Sequence, residues 1–290
     1  EGSALDGDLT GDSPSKPFGG GEEIAWVPGE DGVFFALRVA DRNEPKSTNI
    51  DIYGAKADGK ETVNFTANNK ATDTLPAFSS DGEWLAWAAM ERPGYEADRL
   101  VVKLRKQGSD EDEAIALTKD WDRSVGSIVW TPDNKYLIVT AQDVLDHPAF
   151  AVEVATGKVT RLTAEGNVGT TIPLQDGSLI YTMNSLQAPT DIYRRTAGGN
   201  VTQLTNINGR ELAEIDKVEI KRFNFPGANG DTVWGQIIKP QGATGKLPMA
   251  FLVHGGPQSS FGNNWSTRWN PKVMAAQGYA AVTVDFHGSA

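Results

Sequence analysis

The sequence predicts two architectures in series, blades of a β-propeller followed by the opening part of an α/β domain. Three observations carry this. A strand–turn–strand pattern recurs four times before residue 190, a Leu/Phe-Thr dipeptide recurs in step with it, and beyond residue 245 the pattern gives way to strand, helix, strand.

The repeats are IAWVPGEDGVFFALR from Ile24, PAFSSDGEWLAWAAM from Pro76, IVWTPDNKYLIVTAQ from Ile128 and TIPLQDGSLIYTMNS from Thr171. Each reads as a short extended segment, a turn and an apolar-rich strand. The turns fall at Asp31-Gly32, Asp81-Gly82, Asp133-Asn134 and Asp176-Gly177, hairpin dipeptides suited to positive φ. Their first residues lie 50, 52 and 43 positions apart. The second marker is Leu9-Thr10, Phe65-Thr66, Leu117-Thr118, Leu162-Thr163 and Leu204-Thr205. A period of roughly 40–50 residues with about four strands per unit is that of propeller blades. One blade cannot cover both faces of its own sheet, so blades must stack. Four units are few for a closed ring, and Leu9-Thr10 reads as the end of a unit whose strands are absent. The propeller is therefore expected over residues 1–210, incomplete at its start.

Within it, the turn aspartates read as turn chemistry, and Trp26, Trp84, Trp87 and Trp130 as blade-packing aromatics. Asp110 to Glu113 reads as a solvated acidic tip, and His147 in DVLDHPAF as structural. A carboxylate here could hold a peptide's amino terminus, but the residues single none out.

Past Thr205 the period fails. Glu214 to Phe223 alternates polar and apolar, PGANGD turns, and Thr232 to Lys239 is extended again, which is a hairpin. Leu247 to Val253 is a continuous apolar run, as in a strand covered on both faces. Asn270-Pro271 offers an N-cap with proline at the first helical position. The helix KVMAAQ should end at Gly278, and Tyr279 to Phe286 reads as a second buried strand with Tyr279 in the core. Strand, helix, strand makes a parallel pair. This second domain is expected over 211–290.

The stretch that carries chemistry is His254-Gly255-Gly256-Pro257, where the first of those strands stops. Two glycines let the chain turn sharply and leave N–H groups unshielded, ready to stabilise charge on a reacting carbonyl oxygen. HGG-type motifs at this place supply an oxyanion-hole N–H in α/β-hydrolases.

Composition excludes more than it assigns. A net charge of -11 argues against nucleic acid, whose phosphates need a basic face. No apolar run approaches the ~20 residues that span a bilayer, and no secretory leader is visible. Without cysteine there is neither disulfide nor thiolate metal site. Cytosol and periplasm both stay open, with the periplasm preferred, and homo-oligomerisation is left open. No phosphate loop, metal-ligand spacing or dinucleotide fingerprint occurs, so no cofactor is expected.

RFNFPGANGDTVWGQIIKP, LPMAFLVHGGPQ, W..RWNP...AAQGY and VDFHGS, in that order, resemble the start of the catalytic domain of the prolyl oligopeptidase family, in its branch of bacterial dipeptidyl and acylaminoacyl peptidases. The resemblance runs from about Glu211 onward, with the propeller before it as that family requires. It implies serine exopeptidase chemistry on short peptides, releasing dipeptides or acyl-amino acids from their N-termini. It implies that the Gly256 N–H lines the oxyanion hole and that His254 shapes the loop rather than acting as base. Gly255, Pro257 and Arg268 become candidates for substrate contact. Arg268 and Trp265 alternatively read as interface packing or a buried arginine pair.

The departure is the triad. It runs Ser, Asp, His with the serine in G-x-S-x-G. No G-x-S-x-G occurs here, and the histidines are His147, His254 and His287. Ser289 sits where the family also has FHGS, so it is not read as the nucleophile, and Asp285 precedes the place of the family's acid. The chain is expected to be a fragment without nucleophile, acid or base, inactive alone. The alternatives are a non-catalytic propeller binding protein with a degenerate hydrolase tail, or an esterase.

Overall fold

The computed structural model describes residues 9–17, 19–59, 61–110, 113–215, 217–256 and 258–289. Pro257 and the middle of the acidic tip, Glu111 and Asp112, lie outside the described residues.

Four antiparallel sheets follow one another. In the first, β1 (Gly11–Asp12) and β2 (Ile24–Trp26) pair with opposite ends of the same side of β3 (Gly32–Val39), which leads to β4 (Asp51–Lys56) and β5 (Thr62–Asn64). The second holds β6 (Asp73–Phe78), β7 (Trp84–Ala89), β8 (Val101–Lys106) and β9 (Ile115–Ala116) in sequence order. The third holds β10 (Val125–Trp130), β11 (Tyr136–Ala141), β12 (Ala149–Glu153) and β13 (Val159–Arg161). The fourth holds β14 (Asn167–Pro173), β15 (Leu179–Asn184), β16 (Asp191–Arg195) and β17 (Val201–Gln203). These are the blades that the repeat predicts.

The turn chemistry explains the first marker. Asp81 Oδ1 accepts from Ser79 Oγ and the Glu83 N–H, and Asp133 Oδ1 from Thr131 Oγ1 and the Lys135 N–H. Gly82, Asn134 and Gly177 take φ of 73°, 56° and 74°. Asn134 stands where a glycine would serve because its side chain also bonds the neighbouring turn, at Asp81 Oδ2 (2.8 Å) and the Ser80 N–H (3.0 Å). The first repeat differs: Gly29 has positive φ, and Gly32 already opens β3.

The second marker has an equally physical cause. Where each outermost strand ends, its Leu or Phe N–H donates to a carbonyl on the third strand. The next threonine's hydroxyl then accepts that same residue's N–H. Thr66 does this for Ile52, Thr118 for Val102, Thr163 for Ala149 and Thr205 for Ile192, each at 2.9 Å. A hydroxyl thus completes a ladder that the backbone has left, sparing a buried N–H. Leu9-Thr10 does not close a preceding blade among the described residues. The Thr10 carbonyl accepts from Ala40, and Gly11 opposes Val39, so this segment edges the first sheet itself.

The chain divides into two compact units. The first runs to Ala141 and takes in Phe150–Arg161 and Pro173–Gln175. Its core lies between sheets: Ile52, Leu85 and Trp87 with Phe34, Phe65 and Phe78 in one cluster, Leu104, Val125, Leu137 and Phe150 in another. Trp87 and Trp130 are buried as expected, but Trp26 is 65% exposed on its short edge strand.

The second unit comprises Gln142–Ala149, Leu162–Ile172 and the chain from Asp176. After α1 (Gly209–Ala213), a sheet forms from β18 (Val218–Pro226), β19 (Thr232–Pro240), β20 (Met249–Leu252) and β21 (Ala280–Asp285), with α2 (Pro271–Ala276) between the last two. The order is β18-β19-β21-β20, antiparallel except for the β20/β21 pair, which is parallel as the βαβ reading requires. Asn270 caps α2 by accepting the Lys272 N–H, and Gly278 (φ 85°) ends it. Ile238, Ala275, Ala281, Val218 and Leu186 form the core. Within these 290 residues β20 is the edge of this sheet, and Met249, Phe251 and Val253 are more than half exposed. Tyr279, expected in the core, is exposed because it precedes the paired part of β21.

Candidate active-site loop

β20 ends at Leu252, and the chain leaves the sheet through Val253 into His254, Gly255 and Gly256. Neither glycine N–H donates a hydrogen bond within the described residues. Gly256 adopts φ 139°, and a Cβ there would lie 2.8 Å from the Gln258 nitrogen, so the position demands glycine. Gly255 would meet no atom within 4 Å.

His254 is fixed on three sides. Its ring stacks on Phe286 (4.4 Å, 12°) and meets the edge of Phe261 (6.0 Å). Nε2 lies 2.8 Å from Ser289 Oγ, and Nδ1 lies 2.9 Å from the Gly255 carbonyl oxygen. Among the described residues no carboxylate hydrogen-bonds this ring.

Beyond the glycines the loop is tied to the unit at successive points. Ser260 Oγ donates to Asp285 Oδ2, and the Phe261 N–H donates to Asp285 Oδ1 at 3.2 Å. Burial pushes the Asp285 carboxyl up, against these two donors. Gln236 Nε2 donates to the Gly262 carbonyl at 2.9 Å. Asn263 Nδ2 donates to Asp146 Oδ1, its Oδ1 accepts from Leu186 N, and the Trp265 N–H donates to Asn184 Oδ1 at 2.8 Å.

The loop borders a cavity of about 650 Å³, lined among others by His254, Gly255, Phe261, Arg268 and Met274. Arg268 is exposed, its guanidinium 5.4 Å from the Trp269 ring, and it forms no buried pair. Lys272, four residues on, is buried instead. Its Nζ donates to the Gln187 carbonyl (3.3 Å) and sits 5.5 Å from the Trp265 ring, and burial lowers its pKa.

Sequence reading missed the Asp146–Arg222–Asn263 network. Asp146 sits in DVLDHPAF, where only the histidine drew attention. His147 is structural, with Nδ1 3.0 Å from the Val168 carbonyl oxygen. Nothing in a single sequence pairs residues 76 apart, such as Asp146 and Arg222.

Propeller blades followed by a β18-β19-β21-β20 sheet with a diglycine loop beyond its parallel edge strand define a fold class, an incomplete β-propeller joined to the N-terminal part of an α/β-hydrolase domain. Comparison with known proteins gives the particular kinship. No protein-family model matches the chain. It is 32% identical to a probable dipeptidyl-peptidase 5 of Aspergillus clavatus over 96% of its own length and 40% of that protein's. It is 31% identical to a dipeptidyl-peptidase 5 of Porphyromonas endodontalis, over 98% of its length and 41% of that protein's. By fold it is similar to the acylaminoacyl peptidase of Pyrococcus horikoshii, with a TM-score of 0.73 at 22% identity, covering 92% of this chain and 40% of that one. The chain is thus similar over nearly its whole length to proteins named dipeptidyl-peptidase 5, and it spans about 40% of the length of the relatives it matches.

Proposed function

We propose that the intact protein is a serine exopeptidase of the prolyl oligopeptidase family, releasing dipeptides or acyl-amino acids from the N-termini of short peptides. The observation that carries this is the loop after β20. Its Gly256 N–H has no acceptor among the described residues, and its neighbour Gly255 borders the cavity. Kinship with proteins named dipeptidyl-peptidase 5 supports the same reading. Gly256 then supplies an oxyanion-hole donor, a group worth about 3 kcal/mol of transition-state stabilisation. His254 shapes the loop, while Gly255, Pro257 and Arg268 stand on the substrate side. Nucleophile, acid and base are supplied by residues other than those of this 290-residue sequence, which has no G-x-S-x-G.

The test is turnover by the intact protein of dipeptidyl, acetyl-aminoacyl and simple ester substrates, with fluorophosphonate labelling. Labelling with dipeptidyl or acyl-aminoacyl turnover is expected, and the 290 residues alone should give neither. Ester turnover alone identifies an esterase, and no labelling identifies a binding protein. Gly256→Ala keeps the N–H but does not fit φ 139°, so it should displace the donor and lower kcat by up to about 10²-fold.

A further inference from the structure

The sheet leaves two polar residues at the end of β21, Asp285 and Ser289, outside the peptidase machinery. We propose that they are positioning residues for the diglycine loop, an inference that rests on the function proposed above. The segment from Asp285 to Ser289 grips the loop on both sides of the glycines.

On the near side, Ser289 holds His254. The Gly255 carbonyl oxygen can only accept, so the hydrogen lies on His254 Nδ1. An imidazole whose one hydrogen is on Nδ1 accepts at Nε2, and in that tautomer the Ser289 hydroxyl donates to it at 2.8 Å. Phe286, from the same segment, lies flat against the ring at 4.4 Å. The imidazole therefore passes the position of Ser289 to the Gly255 peptide group, whose nitrogen partner is Gly256.

On the far side, Asp285 accepts from Ser260 Oγ and the Phe261 N–H, and Ser260 Oγ in turn accepts the Gly262 N–H at 2.9 Å. Between the grips the glycines have no ladder partner. Glycine loses more conformational freedom on ordering than any other residue, so an N–H held only by glycine geometry would wander. An oxyanion donor acts by being fixed before charge develops. The two grips supply that fixation, and neither residue touches the reacting atoms.

The experiment uses the intact protein with Ser289→Ala, Ser289→Thr and Asp285→Ala. Two readouts are taken: kcat and KM on a dipeptidyl chromogenic substrate, and hydrogen–deuterium exchange of residues 254–262. Ser289→Ala should lower kcat about tenfold, part of the ~10²-fold value of one oxyanion donor, with KM within about twofold. Exchange across the loop should rise at least about fivefold in the alanine variants, and Ser289→Thr, which keeps the hydroxyl, should restore both readouts. Unchanged exchange in both alanine variants overturns the inference, whatever the activity. So does a loss confined to KM, or a fluorophosphonate adduct on Ser289 itself, which would make it a nucleophile. An inactive, unlabelled wild type whose loop exchange still depends on Ser289 sinks the peptidase reading and leaves the positioning role standing.

Discussion

Arg222 grips Asp146 with two parallel hydrogen bonds, Nη1 to Oδ2 at 2.7 Å and Nη2 to Oδ1 at 2.8 Å. Asp146 Oδ1 also accepts from the Gly166 N–H and Asn263 Nδ2. Burial alone would push this carboxyl up, but Arg222, Gly166 and Asn263 together hold it below the usual carboxylate range. It therefore contributes stability above the unfolded-state pKa of about 4, lost as pH falls through the lower folded value.

Asp146→Ala should accordingly cost about 1–3 kcal/mol at pH 7, since it removes the acceptor of the Gly166 N–H, of Asn263 and of the half-buried Arg222. Urea unfolding of the single and double variants with Arg222→Ala gives the coupling. A coupling near zero would show that the pair carries no stability. The variant should also lose the wild type's steep decline below about pH 4.

Asp73 should behave in the opposite sense. Its carboxylate is buried in the second sheet, accepting from Trp87 Nε1 at 2.7 Å, and burial pushes its pKa to about 7 despite that donor. A raised pKa means stability that is full below the unfolded value near 4 and declines as pH rises through about 7. Asp73→Asn should remove that decline, making the variant relatively more stable at pH 8 than at pH 5. Denaturation midpoints of both proteins at the two pH values decide it, and parallel midpoints would refute the assignment.

The threonine of the blade marker should matter through its hydroxyl rather than its shape. Thr118 is buried, and its Oγ1 accepts the Val102 N–H. Thr118→Val keeps the volume but strands that N–H, at a cost of about 1–3 kcal/mol. Thr118→Ser keeps the acceptor and should lose less. Equal losses in thermal or urea unfolding would place the effect in packing instead.

Much of this was legible in the chain itself. The Asp-Gly and Asp-Asn turns, the Thr marker, the Asn270-Pro271 cap and Gly278 are local devices, whose chemistry acts within a few residues or along one ladder, so composition and spacing expose them. HGGP was legible for the same reason, since a strand ending in two glycines announces an unpaired backbone. Three features were decided only by tertiary structure. Strand order interposed β21 between β19 and β20, so β20 pairs with the later strand and not with the hairpin that precedes it. Asp146, Arg222 and Asn263 met across separations that no periodicity records. And the hold of Ser289 and Asp285 on the His254 loop depends on β21 lying beside β20, because their parallel pairing puts the C-terminal ends of both strands at the same end of the sheet.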